Sequence, residues 1–167
     1  MLRVLVLSDT HAPRFAKALP NPLRPHLESA DLVLHAGDVC TGWFLDELAV
    51  HAPVHAVLGN NDGADVAAWG GGVPETLELD LEGLRVAMIH DAGARAGRGR
   101  RMRRRFPSAD LVVYGHSHIP MDVVDDGAHL FNPGSPTDKR RQPDYTIGWL
   151  GIEGGDLVEH RIEPVER

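Results

Sequence analysis

The sequence contains a single cysteine, Cys40, in 167 residues. That excludes a disulfide framework within the chain and any zinc site built on several thiolates. No apolar run approaches the ~18 residues of a membrane span. The opening stretch, MLRVLVLSDTHAP, is too short for a secretory leader and lacks a small-residue cleavage site, so a cytoplasmic location is expected. Positive charge is scarce. Lys+Arg sum to 17 against 24 for Asp+Glu, a net charge of -7, which argues against nucleic acid as a general partner. Internal repeats, linkers and low-complexity tracts are also missing. A hydrophobic fraction of 43% with 25% charged residues excludes a disordered chain. The length suits one domain over residues 1–167 with a real core. What is abundant is histidine, with 10 residues of the type that titrates near neutrality and most often binds metal.

The apolar pattern reads as strands alternating with helices, then mostly strands. Leu2–Leu7 is almost wholly apolar, as expected of a strand buried on both faces. Pro13, Pro20, Pro22 and Pro25 interrupt the next stretch, so a helix there is short and begins late. Asp31–His35 is a second buried strand, and Pro53–Leu58 is the third strand. Between them, Phe44, Leu45, Leu48 and Ala49 form a helical stripe over Thr41–His51, with Thr41 placed to cap it. Gly59–Gly72 is polar and glycine-rich and reads as loop. This order implies a parallel sheet carrying helices. Further on, Thr76–Leu81 and Arg85–Ile89 flank Glu82-Gly83 as a hairpin. Ala96–Phe106 reads as an arginine-rich helix and Leu111–Tyr114 as another buried strand. Two more hairpins close at Asp125-Asp126-Gly127 and Glu153-Gly154-Gly155-Asp156. The expected architecture is one largely parallel half and one hairpin-built half.

Chemistry concentrates where these strands end. The first runs into Asp9-Thr10-His11, the second into Gly37-Asp38, the third into Gly59-Asn60-Asn61-Asp62. Arg85–Ile89 runs into His90-Asp91, and Leu111–Tyr114 into Gly115-His116-Ser117-His118. Open α/β sheets bind ligands in the crevice beyond the carboxyl ends of their strands. Asp9, His11, Asp38, Asn60, His90, His116 and His118 are therefore expected to converge. That is too many donors for one ion, and the set suits two divalent cations sharing a carboxylate. Nitrogen and oxygen donors without thiolate fit Mn²⁺, Fe²⁺, Zn²⁺, Ni²⁺ or Co²⁺ better than Ca²⁺ or Mg²⁺. Two such ions generate hydroxide from water at neutral pH and clamp a phosphoryl group during in-line displacement. Taken singly each motif has a bland reading: Asp9 as a cap, Gly37-Asp38 as a turn, the His116/His118 pair as surface. Five of them, each closing a strand, do not.

The ordered motifs D-T-H, G-D, G-N-N-D, H and G-H-S-H resemble those of the calcineurin-like metallophosphoesterases. The short length and Asn132-Pro133-Gly134-Ser135 resemble the small bacterial and archaeal phosphodiesterase branch, and the likeness spans Leu2 to about Ile162. The resemblance implies a four-layer α/β/β/α sandwich with two mixed sheets. It implies that Asp9, His11, Asp38 and His118 hold one metal, and that Asp38, Asn60, His90 and His116 hold the other. Asp38 bridges, Mn²⁺ is the favoured ion, and Asp38, Asn60 and His116 act in catalysis. The implied reaction is hydrolysis of a small phosphodiester, with a phosphomonoesterase or nuclease on the same centre as a variant. Self-association stays open. A retromer subunit resembles the same fold and acts as a protein-binding scaffold, so fold alone does not decide catalysis. A scaffold is expected to lose metal positions, and this sequence keeps all of them.

Two positions depart from the family pattern. Asn61 stands where many relatives carry a histidine that protonates the leaving oxygen. Asp91 follows His90 where relatives usually have glycine. Asp62, next in the motif, is placed to orient Asn60 or a water. The run Arg95, Arg98, Arg100, Arg101, Arg103, Arg104 and Arg105 reads as a solvated helix face anchored by Met102 and Phe106, with substrate phosphate as the competing reading. No aromatics interleave with it, so base stacking is not supported. His35 reads as a core or supporting histidine. His51, His55, His129 and His160 lack motif context and read as structural or exposed. Trp43 and Trp69 read as core or as the rim of a substrate mouth, and Cys40 as a small buried apolar residue.

Overall fold

The computed structural model describes residues 1–167. Its first sheet has the order β10-β9-β1-β2-β3 and its second β4-β5-β6-β8-β7. In the first sheet β1 (Leu2–Leu7), β2 (Leu32–His35) and β3 (Val54–Ala56) run parallel. The C-terminal hairpin β9 (Tyr145–Glu153) and β10 (Asp156–Val165) extends that sheet, because β9 pairs antiparallel with β1. The second sheet holds β4 (Thr76–Leu81), β5 (Leu84–Ile89), β6 (Leu111–Val113), β7 (Met121–Asp125) and β8 (Ala128–Asn132). Its centre is parallel, β5 to β6 to β8, and its edges are antiparallel. Both sheets are thus mixed. The division into a parallel half and a hairpin half is corrected: the last hairpin belongs to the first sheet, and the second sheet has a parallel middle.

Side-chain alternation sets the layers. In β1, Leu5 and Leu7 point to one face and pack with Leu23, Leu27, Phe44, Leu45 and Leu48, around the helices α1 (Arg24–Glu28) and α2 (Gly42–Ala49). Val4 and Val6 point the other way and meet Val86, Met88, Leu111, Val113 and Phe131 of the second sheet. The outer face of that sheet, with Ala87, Val112 and Leu130, receives Met102 and Phe106 of α4 (Arg98–Arg105) and the residue after it. The result is the α/β/β/α sandwich. Each fully buried aliphatic or aromatic side chain in these layers is worth roughly 1.5–3 kcal/mol. The prolines do limit α1 to a short, late helix, with Pro25 in its first turn.

Two local expectations are corrected, and the tryptophans take the core reading. Gly59–Gly72 is not all loop: it contains α3 (Ala64–Ala67) and a 3-10 turn at Trp69–Gly71, drawn in because Val66 is buried in the helix-side core. Thr41 occupies the N-cap position of α2, but its hydroxyl makes no capping bond and is buried without a partner. The Gly42 N–H donates instead to Asp65 Oδ2 at 2.8 Å. Trp43 and Trp69 pack against the helix-side core, and Trp69 Nε1 donates to Asp46.

Candidate metal centre

The expected donors converge at the strand ends. Asp9, His11 and His118 place ligand atoms within 4.8 Å of one another, as do Asp38, His90 and His116. The two groups adjoin. His90 Nε2 lies 3.3 Å from Asp38 Oδ2 and 3.8 Å from Asp9 Oδ1, and His11 Nε2 lies 3.6 Å from Asp38 Oδ2. Asn60 Oδ1 sits 3.1 Å from both His90 Nε2 and His116 Nδ1. Asp9, Asp38, His90 and His118 are buried; His116 faces the opening.

The backbone is bent to present these groups. Asp9, His11, Asp38, His116 and His118 adopt positive φ of 56°, 45°, 57°, 70° and 60°. Such left-handed conformations are uncommon outside glycine and cost roughly 1 kcal/mol or more each, so packing must hold them. The holding bonds are visible. Ser8 Oγ and the His116 N–H both donate to Asp9 Oδ2, at 2.7 and 3.0 Å. Ser135 Oγ donates to the Asp9 carbonyl and Thr137 Oγ1 to the Thr10 carbonyl. Asn132 Nδ2 donates to the Gly115 carbonyl. The Asn132-Pro133-Gly134-Ser135 segment thereby ties the loops of Asp9 and His116 together, a role that could be read from the sequence only as a family mark. Gly59 is required as well, since a Cβ there would collide with the Asp38 carboxylate.

Ring orientation follows the same logic. His90 Nδ1–H donates to the Ala36 carbonyl at 2.7 Å and His118 Nδ1–H to the Asp138 carbonyl at 2.5 Å. Nε2 of each ring is then turned toward the carboxylates, the arrangement that metal-binding imidazoles adopt. His11 Nδ1 faces Cys40 Sγ at 3.5 Å. Asp9 Oδ1, His11 Nε2 and His118 Nε2 are buried with no hydrogen-bond partner. Orphaned buried polar atoms are costly, and here all three point into one space. A cation resolves that cost, so the donor set fits a divalent ion. Electrostatics agree. Burial alone would raise Asp9, but the imidazoles of His11, His118 and His90 beside it hold it well below the usual carboxylate range. Burial likewise opposes ionisation of Asp38, and His90 with Asn61 outweighs it, bringing the group down to about 2. Burial would lower His90 and His118, whereas the neighbouring aspartates raise both. The pocket attracts positive charge, as proton or as metal.

The neighbours take definite roles. Asp62 makes no hydrogen bond to Asn60; its carboxylate accepts N–H bonds from Asp38, Cys40 and Gly59 at 2.9, 2.7 and 2.7 Å, clipping two ligand loops together. Asn61 donates to both oxygens of Asp38, by backbone and side chain, each at 2.8 Å. Asp91 is exposed and accepts the Gly93 N–H. Cys40 is half-buried rather than buried, at a φ of 73°, and burial pushes its thiol up to about 12. His35 is fully buried: the Gly37 N–H donates to Nδ1, so Nε2–H donates to Thr10 Oγ1. Most of the arginine run is structural. Arg98 bonds the Gly93 carbonyl and lies over Tyr114, Arg101 holds the Ala92–Ala96 carbonyls, and Arg100 and Arg103 pair with Asp126. Arg105 borders the same cleft as Asn60 and His90. His129 and His160, which lack any motif, meet at Asp122 in a separate cluster.

Two mixed sheets in a four-layer sandwich, with histidines and carboxylates gathered at the strand ends, define a metal-dependent hydrolase class. The family follows: residues 2–155 match the model of the calcineurin-like phosphoesterase superfamily domain, and the chain belongs to that superfamily. A protein of Methanothermobacter thermautotrophicus named probable metallophosphoesterase is 35% identical over 156 residues, covering 91% of this chain and 87% of its own. Another of that name from Methanocaldococcus jannaschii is 33% identical over 167 residues, covering 96% and 80%. Among solved structures, vacuolar protein sorting 29 of Entamoeba histolytica in complex with zinc superposes with a TM-score of 0.77 at 23% identity, covering 97% of each chain. A structure described as a novel archaeal phosphodiesterase gives a TM-score of 0.74 at 24% identity, covering 99% of this chain and 100% of that one. Members of this superfamily are phosphoesterases that use divalent metals.

Proposed function

We propose that this chain is a dinuclear, divalent-metal-dependent phosphodiesterase, with residues 1–167 forming one catalytic domain. The observation that supports it is the pair of adjoining ligand groups containing three orphaned buried polar atoms. Asp9, His11, Asp38 and His118 would hold one ion and Asp38, Asn60, His90 and His116 the other, with Mn²⁺ favoured. Ions bound there supply Lewis acidity toward a phosphoryl group and a nucleophile from water at neutral pH. The protein's part is positioning. The Ala36 and Asp138 carbonyls fix the rings of His90 and His118, and Asp62 fixes the loops that carry Asp38 and Asn60. Asn60 adds a neutral oxygen, which keeps the charge at that position from being over-compensated. His116, an exposed member of the ligand set, would face an incoming small diester.

The test is hydrolysis of bis(p-nitrophenyl) phosphate and p-nitrophenyl phosphate by metal-stripped protein reloaded with Mn²⁺, Ni²⁺, Co²⁺ or Zn²⁺. Diester turnover above monoester turnover is expected. Turnover of the monoester alone would make the protein a phosphatase. No turnover with any of the four ions would leave the reading as a protein-binding scaffold, which the fold shared with vacuolar protein sorting 29 supports.

A further inference from the structure

Away from the strand-end centre, Asp122 of β7, His129 of β8 and His160 of β10 bring ligand atoms within 4.8 Å of one another. His129 Nε2 lies 2.7 Å from Asp122 Oδ1, and His160 Nδ1 lies 2.6 Å from Asp122 Oδ2. The two rings meet edge to face, 4.9 Å between centroids. Their placement runs against the pattern of the fold. Asp122 pairs with Phe131 and His129 with Val124, so Asp122 and His129 share the sheet face that carries Phe131 into the core between the sheets. His160 pairs with Leu150, another residue of that core, so it points inward from the opposite sheet. Inward positions elsewhere on these strands are apolar. Here polar donors from both sheets are turned toward each other at the rim of the inter-sheet layer. The ion pairs of Asp122 are with these two imidazoles.

We infer that Asp122, His129 and His160 form a further cation site, taking one first-row divalent ion that clasps the two sheets together. Two imidazoles and one carboxylate suit Zn²⁺, Co²⁺, Ni²⁺ or Cu²⁺ and not the oxygen-seeking Ca²⁺ or Mg²⁺. The side chain of His160 is 43% exposed, which leaves an entry path and room for water to complete the coordination. On binding, each ring would offer the nitrogen that now faces the carboxylate as a lone-pair donor, its proton passing to the other ring nitrogen or, from an imidazolium, to water. Asp122 is ready to accept it: burial works against ionisation, but the two histidines hold the carboxyl below its ordinary value. β7 and β10 are edge strands of different sheets, so a bond between them closes one side of the sandwich.

The experiment compares the full-length protein with His160→Ala and His129→Ala. Each is saturated with Zn²⁺, desalted, and analysed for metal per chain. Both variants are expected to retain one Zn²⁺ equivalent fewer than the parent, whatever number the strand-end centre holds. Mn²⁺-supported diesterase activity should be unchanged, because neither residue touches that centre. Zn²⁺ should also raise the melting temperature of the parent by more than that of the variants. The exposure of His160 makes its variant the one expected to fold normally, which circular dichroism checks. Equal Zn²⁺ content in the parent and a folded His160→Ala protein overturns the inference and leaves a hydrogen-bonded triad. Because the readout is a difference between parent and variant, a failed diesterase assay would not affect it.

Discussion

Asp38 illustrates how one residue serves several ends. It sits at a φ of 57°, its oxygens accept two bonds from Asn61, and it lies 3.3 Å from His90 Nε2 and 3.6 Å from His11 Nε2. It reaches His90 in its own ligand group and His11 in the other, with the shorter of the two carboxylate approaches across the groups. Replacing it by Asn keeps the shape and removes the charge that two cations would share. Asp38→Asn should lower diester turnover by more than about 100-fold, beyond what losing a supporting partner costs, and should reduce bound metal. Near-normal turnover with undiminished metal would sink the dinuclear reading. Asn61 carries the second prediction. Its amide is committed to Asp38 and cannot donate a proton to a leaving alkoxide. General-acid help is worth roughly 10²–10⁴-fold, and it matters most when the leaving group is poor. kcat/KM should therefore fall steeply from nitrophenyl to alkyl diesters, and Asn61→His should flatten that slope by rescuing the alkyl substrates. A shallow slope in the parent would mean that another group already protonates the leaving oxygen.

At the scale of elements, the site is a set of loops that leave strands and turn at once. The positive φ values of Asp9, His11, His116 and His118 alternate along D-x-H and H-x-H, so each dipeptide step aims its two side chains into the same crevice. His116 and His118 nonetheless reach different groups, one with Asp38 and His90, the other with Asp9 and His11. His116→Ala and His118→Ala should then deplete different ions, which anomalous scattering would show; loss of the same ion from both would refute the division. These strand-end donors were legible because each follows a short run that reads as a strand, most plainly the Val- and Leu-rich runs before Asp9, Asp38 and His116. Asp122, His129 and His160 were not legible, because β7, β8 and β10 meet only once the two sheets stack. The bonds of Asp62 to backbone N–H groups and of Asn61 to Asp38 were not legible, since they cross loops that sequence spacing does not relate. The cap at Thr41 is not made: its hydroxyl accepts no first-turn N–H, and at the helix start it is Asp65, far along the chain, that accepts the Gly42 N–H. His35, at the end of β2, yields a pH prediction. Burial holds it neutral and down to about 4, against about 6.5 in the unfolded chain. Between those values the unfolded state binds more protons, so stability falls as pH drops through the window and is fully present above it. A shift of this size is worth roughly 3 kcal/mol. His35→Gln should remove that component, seen as a smaller loss of urea midpoint from pH 7 to about 4.5 than in the parent. Identical losses would show that the acid sensitivity lies elsewhere.

For the whole molecule, the question is whether the sheets hold the metals in place or the metals hold the sheets. The layer between the sheets is built of Val4, Val6, Leu34, Val86, Met88, Leu111, Val113, Phe131, Leu150 and Ile152, nearly all of them fully buried. The strand-end ligands hang from the edge of this layer and contribute none of its apolar contacts. Phe131 is fully buried and packs against Gly148, where no Cβ could fit. Truncation at such a site typically costs roughly 3–5 kcal/mol, with a cavity left behind. Metal removal acts differently. An ion present at 100 times its Kd stabilises by about 2.7 kcal/mol, and for a chain of this length each kcal/mol shifts Tm by roughly 2–4 °C. Chelation with EDTA should therefore abolish turnover and lower Tm by roughly 5–11 °C per site emptied, while the unfolding transition stays cooperative and far-ultraviolet circular dichroism is unchanged. Phe131→Ala should do the reverse, weakening the fold by a similar or larger amount in both the loaded and the chelated protein while metal content per folded chain is kept. The measurement is a pair of thermal melts for each protein, with and without chelator, beside metal analysis. Loss of the cooperative transition in the chelated parent would mean that the ions, not the apolar layer, hold the two sheets together.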